Sequence, residues 1–146
     1  MREAEGRKLQ EDISGRLNVI ESLVSEVERC SPETVTKYRD RLYKKMCEVL
    51  ERTDVDEQRI LLEAGIFADK VAVDEETVRL RSHIQQMREL LAGGSPNGKK
   101  MDFLIQEFNR ETNTIGSKCT DSAVTRLVID LKSEIEKIRE QVQNIE

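Results

Sequence analysis

The sequence predicts an all-α protein, in which a long helical hairpin precedes a compact helical bundle, with about six helices in total. Apolar residues recur at steps of three and four, and no segment alternates as a strand does. Aromatic residues make up 3%, with no Trp and only two Pro, so little here favours a sandwich or a barrel. Charged residues (36%) nearly equal hydrophobic ones (37%) over 146 residues, which leaves a thin core suited to long helices.

We expect residues 1–53 to form the long helical hairpin. The first apolar stripe comprises Leu9, Ile13, Leu17, Ile20, Val24 and Val27. Ser31-Pro32-Glu33 then resembles an N-cap followed by Pro at the first helical position, so we expect a second helix to begin there. Its stripe comprises Val35, Tyr38, Leu42, Met46 and Val49. A short joint between two long helices favours antiparallel packing.

We expect residues 54–146 to form the compact helical bundle. A capping cluster, Thr53-Asp54-Val55-Asp56, opens a short helix, and Asp74, followed by two Glu, is expected to cap the next one. Concentrated helix breakers between Gly93 and Gly98 predict an exposed turn. The inward positions of the two helices before this turn are Ile60, Leu61, Ala64, Phe67 and Val71, then Leu80, Ile84, Met87 and Leu91.

The last two helices follow the turn. Helical spacing from Met101 to Ile115 predicts the first of them, and Thr120-Asp121-Ser122 is expected to start the second. In the final stripe, from Val124 to Ile145, apolar residues recur at alternating steps of four and three residues almost to the end of the sequence. This is a coiled-coil pattern over about three heptads, so the final helix offers a seam to a partner inside the subunit or in another subunit.

Charge, cysteines and hydropathy limit the classes of function. Net charge is −5, which argues against a surface that binds nucleic acid over its whole area, but residues 79–118 hold seven Lys or Arg against four Asp or Glu. An anionic ligand is therefore expected in that segment. Three widely spaced cysteines predict neither disulfides nor a zinc site. No apolar run spans a membrane and the charged start is no signal peptide, so we expect a cytoplasmic protein.

One helix carries an unusual polar face, in the stretch QEFNRETNTIGSK. Glu107, Glu111, Thr114 and Lys118 share one row, and Gln106, Asn109 or Arg110, and Asn113 form the next. Two carboxylates one turn apart repel unless a cation, a proton or a metal lies between them. Arg110 is the internal candidate for that cation, which makes a solvated, salt-bridged face the simplest interpretation.

The single histidine, His83, lies on the same helical face as Arg79 and Glu76. A lone histidine is more often a surface or satisfied core residue than a ligand. However, His83 lies ten residues before Gly93 and Glu107 nine after Gly98, so a hairpin across the turn would bring the two together. Such a cleft, with two Glu and two Arg, could hold Mg²⁺ or Mn²⁺ and a phosphodiester, or could be an ion-pair network.

Asp69 and Lys70 end the short third helix, in the sequence EAGIFADK. An Asp beside a Lys near a helix end is ordinarily a local ion pair. No phosphate-binding glycine loop, nucleophile elbow or Cys/His pair at helical spacing occurs. The polar face and His83 are thus the positions at which chemistry is expected.

Beyond spacing, the run ADK…DEETVRLRSHIQQMRELL…GKKMDFLIQEFNRETNTIGSK, followed by DLKSEIEKIREQVQNIE, closely resembles the C-terminal half of the YicC/YloC family of bacterial endoribonucleases. The detailed resemblance covers residues 60–146, and REAEGRKL and YRDRL resemble the tail of the family's preceding region. The matching positions are Glu63, Asp69, Lys70, Glu76, Arg79, His83, Phe103, Gln106, Glu107, Asn109, Arg110, Glu111, Asn113, Thr114 and Lys118.

The resemblance implies a metal-dependent enzyme that cuts single-stranded RNA internally and forms a ring-like homo-oligomer, expected to be a hexamer in the full-length protein. Neither a membrane nor DNA is an expected partner. Catalytic roles would fall to His83, Glu107, Glu111, Arg79 and Arg110. RNA contacts would fall to Gln106, Asn109, Asn113, Lys118 and Lys70. Mn²⁺ or Mg²⁺ would be bound by His83, Glu107, Glu111 and Asp69.

Members of the family usually carry another domain of similar size ahead of this region, and we expect residues 54–146 to be the family's C-terminal helical domain. Two further functions therefore stay open. In one, the chain is an oligomerisation module whose enzyme has its chemistry in the preceding domain. In the other, it is a non-enzymatic helical adaptor for protein partners.

Overall fold

A computed structural model describes residues 2–51, 55–93 and 97–145. Within these ranges the chain forms five helices rather than about six, and the all-α prediction is confirmed. They are α1 (Arg2–Leu50), α2 (Glu57–Val71), α3 (Asp74–Ala92), α4 (Gly98–Lys118) and α5 (Ser122–Ile145). None of the helices in these ranges is both long enough and apolar enough to cross a bilayer.

The predicted hairpin within residues 1–53 is wrong, because α1 continues through Pro32 as one helix of 49 residues. The buried face stays in phase on both sides of the proline: Val27 is buried before it and Thr34 after it. The Thr34 hydroxyl donates to the Cys30 carbonyl at 3.2 Å and lies 3.9 Å from Cys119 Sγ. A turn at Ser31 would break this continuous packing. The domain division at residue 53 stays a prediction.

The core lies where α1, α3, α4 and α5 meet. Helix α5 packs against α1 and α4, and α3 packs against α4 and α1. The fully buried side chains include Ile13, Leu17, Leu80, Ile84, Phe108, Ile115, Leu131 and Ile138. The predicted α5 stripe is thus buried inside the subunit from Val124 to Val142, whereas Ile145 lies outside the described side chains. A coiled-coil partner stays a prediction.

The short α2 packs on α1, and its Val71 belongs to the same core. Ile60, Ala64 and Val71 are buried as predicted. Leu61, also predicted to face inward, is 59% exposed, because it follows Ile60 directly and so points about 100° away from it. Phe67 stacks on Tyr38 of α1, with ring centroids 3.9 Å apart.

Capping residues set the helix starts. The side chain of Asp56 accepts from the backbone N–H groups of Gln58 and Arg59, Asn97 accepts from that of Lys100, and Asp121 from that of Ala123. Asp74 does not cap α3 as predicted: it is the first helical residue and Val73 is the N-cap, without a side-chain bond. The predicted signals at 52–54 and 94–96 lie outside the described residues.

Candidate active site

The centre of the site is the contact between His83 on α3 and Glu107 on α4. The predicted matching offsets across the turn are confirmed: His83 Nε2 lies 3.8 Å from Glu107 Oε2. Their side chains are only 14% and 21% exposed, so both groups lie in a crevice between the helices. This distance is too long for a good hydrogen bond.

The imidazole of His83 is largely shielded from solvent and has no hydrogen-bond partner among the described residues. Neither ring nitrogen forms a hydrogen bond with any described residue, although both are shielded from solvent. The ring packs edge to face on Phe108, with centroids 6.3 Å apart. Leaving a buried donor or acceptor unpaired costs about 1–3 kcal/mol. Such a group is typical of a site that binds something else.

Glu111, one turn after Glu107, completes a three-residue cluster. Its side chain is only 4% exposed, and Arg79 Nε donates to its Oε1 at 2.9 Å. One ligand atom each from His83, Glu107 and Glu111 can be chosen so that all lie within 4.8 Å of one another. The hydrogen bond to Glu111 is also the main reason that the pKa of Arg79 is raised above its usual value.

This cluster fits a small divalent cation. Ligands about 2.1 Å from such an ion stand roughly 3 Å apart when adjacent and 4.2 Å apart when opposite. The separation of 3.8 Å between His83 Nε2 and Glu107 Oε2 lies in this range. One imidazole and two carboxylates suit Mn²⁺ or Mg²⁺ better than a zinc site built from thiolates.

Glu76, at the start of α3, extends the charged cluster but was not predicted as a site residue. It is 2% exposed, and Lys118 Nζ lies 2.6 Å from its Oε1 and donates to the Ala72 carbonyl at 3.3 Å. Arg79 Nη2 lies 3.7 Å from the same Glu76 oxygen, while Oε2 has no partner among the described residues. Helical spacing in the sequence predicted that Glu76 shares a face with Arg79 and His83. It could not predict that Glu76 is buried, because this burial depends on α4.

Comparisons with known proteins connect this centre with a family. The family model described as "Endoribonuclease YicC-like, C-terminal" matches residues 27–146. The chain belongs to this YicC-like family. It is similar along its whole length to two proteins named "Probable endoribonuclease YicC", with 48% identity to the one from Clostridioides difficile (strain 630) and 36% to the one from Haemophilus influenzae (strain ATCC 51907 / DSM 11121 / KW20 / Rd). The chain spans half the length of each of these relatives.

The other residues predicted for the YicC-like site are dispersed around this centre. Arg110 is 74% exposed, with Nη1 3.9 Å from Glu107 Oε2. Gln106 and Asn113 are exposed on α4, and Asn109 is half-buried. Asp69 and Lys70 are exposed near the end of α2, and Asp69 is not one of the three clustered ligand residues. Their predicted roles in binding RNA or metal stay predictions.

Proposed function

We propose that this chain carries the reaction centre of a metal-dependent endoribonuclease that cleaves single-stranded RNA. The observation that supports it best is that both solvent-shielded ring nitrogens of His83 lack a hydrogen bond to any described residue, although the carboxylates of Glu107 and Glu111 lie beside the ring. A structural ion-pair network would satisfy those nitrogens, whereas a metal or phosphodiester site leaves them available. The membership in an endoribonuclease family agrees with this choice.

In this proposal His83, Glu107 and Glu111 would hold Mn²⁺ or Mg²⁺, and a bound ion would supply positive charge beside the phosphate. Where His83 or Glu107 is not a ligand, that residue would instead act as the general acid or base. The exposed Arg110 guanidinium can turn from Glu107 to a phosphate oxygen, and Arg79, with 47% of its side chain exposed, donates to Glu111. Both stabilise the negative charge that develops during cleavage.

The RNA is held by the amide-bearing face of α4 in this proposal. Gln106 and Asn113 are exposed there, so their amides are free to donate to and accept from ribose and base edges. Asn109 is half-buried between them. Lys70 is a further contact for phosphate, and Lys118 would have to leave Glu76 to be another.

The experiment compares His83→Ala and Glu107→Gln with the unchanged chain in two measurements. Mn²⁺ binding is followed by electron paramagnetic resonance, and cleavage by gel analysis of a fluorescein-labelled single-stranded RNA with Mn²⁺. Each variant is expected to weaken Mn²⁺ binding by at least about tenfold and to abolish cleavage. Glu140→Gln, an exposed carboxylate on α5, is the control that should change neither. Unchanged Mn²⁺ binding in both site variants would refute the proposed centre.

A second candidate function, an assembly module of the same enzyme, is favoured by exposed apolar residues on α1 and α2. Val49 is 72% exposed, Leu61 59%, Leu62 63% and Ile66 44%. Leu62 and Ile66 lie four residues apart and so share a face of α2, and exposed apolar surface of this kind marks protein interfaces. Light scattering would detect a homo-oligomer, and Leu62→Glu should dissociate it. A chain that assembles but neither binds Mn²⁺ nor cuts RNA would favour this function over the first.

A further inference from the structure

A groove of about 470 Å³ lies between α3 and α4, beside the candidate centre. Leu90, Phe103 and Leu104 are the apolar side chains among the described residues that line it. We propose that this groove binds one nucleotide of single-stranded RNA, with the base stacked on Phe103 and the adjoining phosphates near Lys99 and Lys100. The choice of RNA as the ligand rests on the proposed function, whereas the presence of the groove is independent of that function.

The exposure of Phe103 is the first argument. The chain has three phenylalanines, all in the described ranges, and two of them are used in packing. Phe108 is fully buried and Phe67 stacks on Tyr38, whereas Phe103 is 59% exposed. Single-stranded RNA is held by stacking its unpaired bases on such exposed rings. Leu104 also lines the groove but is only 3% exposed, so the Phe103 ring supplies the apolar surface on which a base can stack.

The position of the groove is the second argument. Phe103 lies four residues before Glu107 on α4, and Gln86 lies three residues after His83 on α3, so each shares a helical face with a residue of the centre. Four residues correspond to about 6 Å along a helix axis, which is on the scale of one nucleotide step in an extended strand. A strand whose phosphate lies at His83 would place a neighbouring base at Phe103.

Charge is the third argument. Lys99 and Lys100 are exposed at the end of the groove and form no ion pair with any described residue. Among the described residues that line the groove, Glu89 is the one carboxylate, so this lining carries a net positive charge within a chain of net charge −5. Unpaired ammonium groups beside an exposed ring match the phosphate and the base of a nucleotide.

The test measures equilibrium binding of a 5′-fluorescein oligouridylate of about 12 nucleotides to the chain by fluorescence anisotropy, with EDTA to prevent cleavage. Phe103→Ala is expected to weaken binding about tenfold, and Phe103→Leu by a similar factor, because leucine keeps the apolar surface but not the ring. Phe103→Trp should retain binding. The matched control is Ile129→Ala on α5, where the side chain is 62% exposed, and it should have no effect.

The charged residues give an independent readout. Lys100→Ala should reduce the slope of log K against log salt by about 0.7, as expected for one lost phosphate contact on a single strand, while Lys132→Ala on α5 should leave the slope unchanged. Glu89→Gln should tighten binding, because it removes a carboxylate that repels phosphate. A gain in affinity is not an effect that damage to the fold would produce.

These results separate the groove from the cleavage centre. Loss of affinity in Phe103→Ala, with no Mn²⁺ bound at His83, would support the groove and refute the proposed centre. Mn²⁺ binding and cleavage without any effect of Phe103 variants on RNA affinity would overturn the groove alone. Failure of the unchanged chain to bind the oligouridylate at 100-micromolar concentration, or a change of oligomeric state in Phe103→Ala by light scattering, would also overturn it.

Discussion

Replacing Lys118 by Met tests whether its ammonium holds the fold together. In the folded chain this ammonium lies 2.6 Å from the buried carboxylate of Glu76 and also donates to the carbonyl that ends α2. Methionine keeps most of the side-chain volume but removes the charge. The substitution would leave Glu76, which is 2% exposed, without its closest cation.

The expected loss can be worked from the surroundings of Glu76. Removing one partner of a fully buried ion pair costs about 3–5 kcal/mol. Two features reduce this cost: Lys118 is 35% exposed, so water replaces part of its interaction, and Glu76 lies in the first turn of α3, where the helix dipole favours a carboxylate. We therefore expect a loss of about 2 kcal/mol in the free energy of unfolding, or about 4–8 °C in Tm for a chain of this size.

Urea denaturation followed by circular dichroism at 222 nm measures this loss. Because an unpaired carboxylate causes it, adding Glu76→Gln to Lys118→Met should recover part of the stability, which a double-mutant cycle quantifies. Lys137→Met is the control, since the Lys137 pair with Glu134 spans 3.6 Å on α5 and 48% of the Lys137 side chain is exposed. Equal stability of Lys118→Met and Lys137→Met would refute the structural role. A fall in RNA affinity without a loss of stability in Lys118→Met would indicate that Lys118 binds RNA.

Two further predictions use the same urea measurement. Phe108→Ala should lower the free energy of unfolding by about 3–5 kcal/mol, because the ring is fully buried and supports His83; a loss below about 1 kcal/mol would show that the core is not packed as described. Pro32→Ala should raise it by up to about 3 kcal/mol, because proline inside a helix cannot donate to the carbonyl four residues earlier and clashes with it. A destabilised Pro32→Ala variant would contradict a continuous α1.

The sequence alone determined the helical class, most of the buried faces and the two partners of the central contact. Helical spacing identified the core positions of α3, α4, α5 and the first part of α1 up to Val27, because each buries one stripe. The second stripe predicted on α1 is wrong at its end, since Val49 is 72% exposed. The offsets of His83 and Glu107 from the turn were enough to place them opposite each other, since two helices that join in a short turn must run antiparallel. Residue types and spacing therefore predicted both the helical class and the contact between His83 and Glu107.

The tertiary structure decided the features that depend on distant segments. Ser31-Pro32 has the local sequence of a helix start, yet α1 continues through it. The reason is that packing against the end of α4 stabilises a continuous buried face on α1. Likewise, Glu76 resembles an ordinary first-turn carboxylate, and only the approach of Lys118 from 42 residues away makes it a buried ion pair. Local preferences amount to a few kcal/mol at most, so packing between distant elements overrides them wherever it buries more surface.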